Sequence, residues 1–388
     1  MKIWVDENIP MGKEAFSGHG QVVSFAGRGL ARKDIAEADA LIVRSITRAN
    51  ADLLEGTPVR FVGTATIGTD HIDMPYLASR GIGFSSAPGC NANSVGEYVT
   101  AALTCLEKRH AFALAGKTLG IIGYGHVGKQ VERKALALGL RVLKCDPPLS
   151  DAALAAGTAG VFSDLPALLA ACDILTLHVP LTKGGPYPTL NLANADFFAR
   201  LARPCVLINT CRGEVIDEAA LAAAMDEGKV RHLILDVFRG EPDIDGKLAA
   251  GADLITPHIA GYSLPGKLNG TTQVAQAFRS FFGFATAWRP VFPVPPQPNL
   301  EYPGTGSDSA FLHHCVHSAY PMMEDDRRLR ESLLAGEPGK AFDRLRRDYP
   351  VRHEFPAYCV QNLPAEKREL RSRLLGLGFQ VSAGPIQA

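Results

Sequence analysis

Nowhere does this chain keep up the roughly 20 consecutive apolar residues that a membrane-crossing helix needs. No charge of either sign dominates, because 40 basic residues offset 40 acidic ones. A general attraction to nucleic acid or to an anionic membrane is therefore not expected, although a local anion pocket is still allowed. The eight cysteines are scattered, with no Cys-x-x-Cys. They read as reduced thiols of a cytoplasmic protein rather than as a disulfide framework. The N-terminal stretch Met1 to Asp6 reaches charge too early for a secretory signal. Short-period repeats and low-complexity tracts are also missing. What remains is an ordinary globular composition, 46% hydrophobic and 21% charged. At 388 residues the chain is too long for one core, so two or three domains are expected.

The pattern is that of an α/β protein. Short apolar runs at Ile3 to Asp6, Gln21 to Phe25, Leu41 to Arg44, Arg60 to Gly63 and Gly81 to Phe84 alternate with helical stretches. Such alternation indicates a parallel sheet with crossover helices. Ser94 followed by Glu97 reads as a capping box opening a long helix to about Arg109. A second alternation has six candidate strands: Thr118 to Gly123, Arg141 to Cys145, Asp173 to Leu177, Cys205 to Asn209, His232 to Asp236 and Asp253 to Thr256. Six are enough for a doubly wound nucleotide-binding sheet. A helix from about Gly270 to Phe284 is expected to return to the first domain. Prolines at 290, 293, 295, 296, 298 and 303 mark an extended connector. Beyond it lie arginine-rich amphipathic helices too short for a large core of their own.

Gly123-Tyr124-Gly125-His126-Val127-Gly128 follows a candidate strand and precedes a candidate helix, as a dinucleotide fingerprint must. Gly123 permits the tight turn, Gly125 lets backbone approach a pyrophosphate, and Gly128 lets helix pack on strand. The helix N-terminus offers amide donors to the phosphates. Asp146, some 20 residues on, is placed to accept from the adenosine ribose, which favours NAD over NADP.

Three loops carry chemistry. Arg212 follows the strand ending at Asn209, Glu241 the strand ending at Asp236, and His258 the strand ending near Thr256. Ligands of doubly wound sheets bind beyond the carboxyl ends of strands. A histidine there can take a hydroxyl proton, a glutamate can hold it basic above the reference of ~6.5, and an arginine can orient a carboxylate or polarise a developing carbonyl. Cys211 beside Arg212 suggests a nucleophile, but a small residue lining a pocket is the simpler reading.

Residues 1 to about 285 resemble the D-2-hydroxyacid dehydrogenase superfamily. The carriers are the glycine motif with Asp146, Leu177-His178-Val179-Pro180, Asn209 to Asp217, Asp236 to Pro242, and Thr256 to Gly261. The resemblance implies two Rossmann-like parallel-sheet domains. One is a flavodoxin-like substrate domain formed by residues 1–93 and 259–286, and the other is an NAD-binding domain formed by 94–258. A small α+β dimerisation domain would follow at 287–388. It implies Arg212, Glu241 and His258 as catalytic residues and Asp236 on the nicotinamide side. The cofactor-binding set becomes Gly123, Gly125, His126, Val127, Gly128, Asp146, Val179, Thr210, Cys211, Arg212, Asp236 and Gly261. Gly63 to Asp70 looks like the superfamily's carboxylate loop, with backbone amides turned inward as an anion nest.

Further runs point to one branch. They are Asp6 to Pro10, Val43 to Thr47, Leu181 to Leu190, and Gly261 to Lys267 with Gly270 to Gln273, together with the extra C-terminal domain. That branch oxidises 4-phospho-D-erythronate in vitamin B6 biosynthesis and forms homodimers. Ser45, Thr66 and Tyr262 are implied to contact substrate. Arg44 is added because a phosphate needs a cation. His313, His314 and His317 lack the partners that would complete a metal site, and hydride transfer needs none, so no metal is expected. Two alternatives stay open: oxidation of another phosphorylated hydroxyacid such as 3-phosphoglycerate, and NAD sensing without turnover.

Overall fold

The computed structural model describes residues 1–110, 112–158, 160–334 and 337–382. The chain divides into two compact units. One is Met1–Ala92 with Tyr262–Pro293, and the other is Asn93–Gly261 with Val294–Ala388.

In the first unit, β1 (Lys2–Asp6), β2 (Gln21–Phe25), β3 (Ala40–Val43), β4 (Phe61–Thr64) and β5 (Gly83–Ser85) form one sheet. Its order is β2-β1-β3-β4-β5 and every pairing is parallel. This is the flavodoxin-like order, with its switch point between β1 and β3. Strands β3 and β4 are buried at every position, which is why they read as unbroken apolar runs. The helix Leu264–Phe282 packs on this sheet so closely that a Cβ on Gly63 would lie 2.4 Å from Val274. Phe278, fully buried, meets Phe16 and Phe61 edge-on at 5.2 and 5.7 Å. Truncating it to alanine would cost about 3–5 kcal/mol.

In the second unit, β6 (Thr118–Ile122), β7 (Arg141–Cys145), β8 (Ile174–Leu177), β9 (Cys205–Asn209), β10 (Val230–Leu235) and β11 (Leu254–Ile255) form a parallel sheet ordered β11-β10-β9-β8-β6-β7. The order reverses between β6 and β8, where a nucleotide is expected. The long helix runs Ala92–His110 and buries Val95, Tyr98, Val99, Ala102, Leu103 and Leu106. It starts ahead of the expected capping box, and the box does not form. The Ser94 hydroxyl donates to the Ala260 carbonyl at 2.8 Å, and Glu97 accepts from the Phe355 amide and from Asn93, both at 2.9 Å. Distant partners outcompete the local cap, a tertiary effect invisible to a four-residue motif.

The C-terminal segment carries β12 (Asn299–Glu301), β13 (Cys359–Gln361) and β14 (Gln380–Val381), a parallel three-stranded sheet in that order. By its contacts this segment groups with the second unit. Phe311, Leu312, Leu370 and Leu374 share a core with Val95, Leu119 and Ile121. Its last helix, Arg368–Leu377, lies on the helix that follows the glycine motif. There the buried Lys134 donates to the Leu377 carbonyl at 2.6 Å, and Arg373 to that of Ala137 at 3.1 Å.

Candidate active site

The glycine motif behaves as its spacing requires. Gly123 has φ +92°, and a Cβ there would lie 2.6 Å from the His178 carbonyl oxygen, so β6 and β8 leave no room for a side chain. A Cβ on Gly128 would lie 2.5 Å from the Gly123 carbonyl oxygen. A Cβ on Gly125, by contrast, meets nothing within 4 Å, which leaves the face above it open. The helix His126–Ala137 starts at this point, with His126 exposed and Val127 packed toward the core. Asp146 caps the next helix through the Leu149 amide at 3.1 Å and holds the Tyr124 amide at 2.8 Å. It thereby fixes the glycine turn, a task the sequence did not suggest.

On the neighbouring strands, Asn209 ends β9. Its side chain accepts from the Cys211 amide at 3.1 Å and donates to the Arg212 carbonyl at 2.9 Å, which folds the loop back on itself. Arg212 donates to the Cys211 carbonyl at 2.7 Å. Gly213 follows because a Cβ there would come within 2.0 Å of the Phe238 carbonyl carbon. The loops after β9 and β10 thus touch through backbone. Burial pushes the Cys211 thiol up to about 11, so it is protonated near neutrality and is no nucleophile. Thr210 meets His178 Nδ1 at 3.2 Å, and Thr176 meets Nε2 at 2.9 Å. Burial pushes His178 down to about 3, so this ring stays neutral. His178 was not foreseen as a site residue, although it stands within the Leu177-to-Pro180 run, and Val179 beside it lies against Gly123.

Glu241 and His258 come together. His258 Nδ1 and Glu241 Oε2 are 2.8 Å apart, and the other Glu241 oxygen accepts from the Phe238 amide at 3.0 Å. Burial alone would raise the Glu241 carboxyl. The charge of His258, its hydrogen bond and the Phe238 amide outweigh that and hold it below its usual range. His258 has φ +55°, an uncommon conformation for a side-chain-bearing residue. Its amide donates to the Asp236 carbonyl at 2.7 Å. The Asp236 carboxylate, 1% exposed, lies under the same loop and accepts from Thr256 Oγ1 at 2.6 Å, Ile259 N at 2.7 Å and Ala260 N at 2.9 Å. Burial raises its pKa against these three donors. Tyr98 completes the chain at 2.7 Å from Thr256. Asp236 therefore shapes the histidine turn from below, and Gly261 closes that turn.

The remaining expected residues belong to the first unit. Arg44 and Ser45 directly follow β3, and Thr66 follows β4 by two residues, so all three lie at the carboxyl ends of adjacent strands. Arg44 is partly buried, and its charge acts on the buried Asp6 at the end of β1. Ser45 is exposed. Thr66 Oγ1 lies 2.7 Å from Thr64 Oγ1 and donates to the Gly68 carbonyl at 3.1 Å. No residue from Gly63 to Asp70 has a positive φ. An anion nest of alternating hand does not form, and the Thr64 hydroxyl lies 2.9 Å from His71 Nε2. Tyr262 stands before the helix Leu264–Phe282 with the Lys267 ammonium 4.5 Å from its ring centre.

A model of the D-isomer specific 2-hydroxyacid dehydrogenase NAD binding domain matches residues 98–260, and one of a domain of unknown function, DUF3410, matches 291–378. The chain is similar to erythronate-4-phosphate dehydrogenase of Cronobacter sakazakii, with 44% identity over 100% of both chains. It belongs to the erythronate-4-phosphate dehydrogenase family, within the D-isomer-specific 2-hydroxyacid dehydrogenases. Among solved structures it resembles a D-lactate dehydrogenase from Aquifex aeolicus complexed with NAD and lactic acid, with a TM-score of 0.60, 25% identity, and coverage of 72% of this chain and 95% of that one. It also resembles an NAD⁺-bound 3-phosphoglycerate dehydrogenase from Entamoeba histolytica, with a TM-score of 0.61, 26% identity and coverage of 73% and 95%.

As a member of this family the chain is an NAD-dependent oxidoreductase. The open face above Gly125, the helix start at His126 and the switch point between β6 and β8 fit a dinucleotide. His313 pairs with Glu107 at 2.7 Å, and His317 meets Thr104 at 3.1 Å. Among the described residues, His110, His232 and Asp253 do have ligand spacing, all within 4.8 Å. They sit at the opposite strand ends from His258, with Asp253 Oδ1 at 2.9 and 3.2 Å from the two rings. No helix among the described residues is long and apolar enough to cross a membrane.

Proposed function

We propose that this chain oxidises 4-phospho-D-erythronate at C2 to (R)-3-hydroxy-2-oxo-4-phosphobutanoate, with Arg212, Glu241 and His258 as the catalytic set. The observation that carries the reading is the 2.8 Å pair between Glu241 and His258 on the loops after β10 and β11. Nδ1 donates to the glutamate, so Nε2 is the nitrogen that accepts the C2 hydroxyl proton. Glu241 stabilises the imidazolium that results. Arg212 holds the substrate carboxylate and draws charge from the C2 oxygen as it becomes a carbonyl. Bound NAD supplies the hydride acceptor, held by the Gly123–Gly128 loop with Val127 and Asp146 and flanked by Val179, Thr210, Cys211, Asp236 and Gly261. Ser45, Thr66 and Tyr262 contact substrate, and Arg44 contributes positive charge toward its phosphate. The family names support the substrate. The same resemblance supports a homodimer in the cytoplasm, and the connector residues Val291 and Val294, 76% and 72% exposed in the single chain, suit such an assembly.

Steady-state turnover on 4-phosphoerythronate, 3-phosphoglycerate and D-lactate tests the reading, with the 2-oxo product detected directly. We expect kcat/KM on 4-phosphoerythronate to lead by about 100-fold or more, since a site built for polar groups rejects analogues lacking them. Equal or better turnover of 3-phosphoglycerate would overturn the substrate. Absence of product from all three, with NAD still bound, would leave a binding protein.

A further inference from the structure

We infer that the C-terminal segment, which a model of a domain of unknown function matches, is the brace of the catalytic histidine loop, and that Arg352 is its positioning residue. The inference rests on the proposed role of His258. That loop leaves β11 at Ile255 and runs through His258 to Ala260. C-terminal side chains grip both of its ends. On entry, Asp326 accepts from the Ile255 amide at 2.9 Å. Arg330 locks Asp326 at 3.0 Å and also donates to the Ala252 carbonyl at 2.7 Å. On exit, Arg352 donates to the Ala260 carbonyl at 2.7 Å and to the Ser94 hydroxyl, which itself donates to that carbonyl. The Glu241 loop is touched as well. Phe342 meets Phe238 edge-on at 6.4 Å, and Arg346 acts on Glu241 by charge.

Arg352 is an expensive way to fill space. It is 5% exposed, its guanidinium lies 4.3 Å over the Tyr320 ring, and neither Nε nor Nη1 has a hydrogen-bond partner among the described residues. Burying a cation with unsatisfied donors is unfavourable, although the charges of Glu97 and Asp325 offset part of that cost. What an apolar residue cannot do is hold the Ala260 carbonyl while Asp236 holds the Ile259 and Ala260 amides from the other side. The turn that sets His258 at φ +55° is thus clamped between a carboxylate of the nucleotide sheet and a guanidinium of the C-terminal segment.

The test compares Arg352→Met, Arg352→Lys and Ser94→Ala with His258→Asn in the full-length protein. Turnover of 4-phosphoerythronate, NADH affinity by fluorescence and thermal midpoint are read for each. Loss of a charge-assisted hydrogen bond at the clamp predicts that Arg352→Met lowers kcat by about 10- to 100-fold. NADH affinity should stay within about twofold. Arg352→Lys, which keeps one charged donor, should restore part of kcat, and Ser94→Ala should lose less than Arg352→Met. Wild-type kcat in Arg352→Met overturns the inference. So does a loss that tracks the thermal midpoint and is not rescued by lysine, since that is packing alone. Turnover persisting in His258→Asn instead overturns the proposed catalytic role, a failure separate from that of the brace.

Discussion

Replacing Glu241 by glutamine removes one charge and almost no volume. Glutamine can still accept from the Phe238 amide, so the loop should keep its shape. What disappears is the attraction between a carboxylate and the imidazolium formed at the 2.8 Å contact. At an effective dielectric of about 20 the bare attraction at that distance is roughly 6 kcal/mol, an upper bound. Solvent reduces it, because the two side chains are 18% and 32% exposed. A charge-assisted hydrogen bond contributes about 1.5–3 kcal/mol net, so kcat should fall about 10- to 150-fold. NADH affinity should stay within about twofold. Stopped-flow oxidation of 4-phosphoerythronate, with fluorescence titration of NADH, measures both. An unchanged kcat would show that the pair does no catalytic work.

Gly213→Ala drives a Cβ into the Phe238 backbone and should cost about 1–3 kcal/mol in urea unfolding with a large loss of kcat; a change under about 0.5 kcal/mol would refute the close crossing of the two loops. His178, held near 3 against an ordinary 6.5, withholds a proton that the unfolded chain takes up. Stability should therefore fall as pH drops from 6.5 toward 3, by up to about 2 kcal/mol at pH 5, less what solvent at the partly exposed ring recovers. Urea midpoints at pH 7 and 5 should converge in His178→Gln, and an identical pH slope in both proteins would contradict the neutral ring. Asp146→Ala removes a helix cap and the anchor of the Tyr124 amide, and should weaken NADH binding by about tenfold while costing about 1 kcal/mol of stability. Unchanged affinity by fluorescence titration would show that Asp146 does not shape the cofactor loop.

Legibility in the sequence followed the range of the interaction. Strands β1 to β11 stood out because parallel strands covered on both faces read as short apolar runs. The close packing at Gly123 and Gly128 was legible because a backbone-to-backbone approach tolerates one residue type. The loops of Arg212, Glu241 and His258 were visible because each follows such a run. What stayed hidden depends on partners far away in the chain. Ser94 and Glu97 matched a local capping pattern, yet they answer to Ala260 and Phe355, more than 150 residues off. Arg352 is one of many arginines in its segment, and nothing next to it in the sequence marks it as buried. Asp236 was expected beside the nicotinamide, and no sequence spacing shows that its oxygens face the Thr256, Ile259 and Ala260 donors.

Single-turnover reduction of bound NAD on mixing with 4-phosphoerythronate, followed at the nicotinamide absorbance in the wild-type protein and in His258→Asn, bears most directly on the proposed chemistry. A fast burst is expected in the wild type. In His258→Asn the expected rate is lower by several orders of magnitude, with NAD affinity intact. A burst of equal rate in His258→Asn, or none in a wild-type protein that binds NAD, would contradict it.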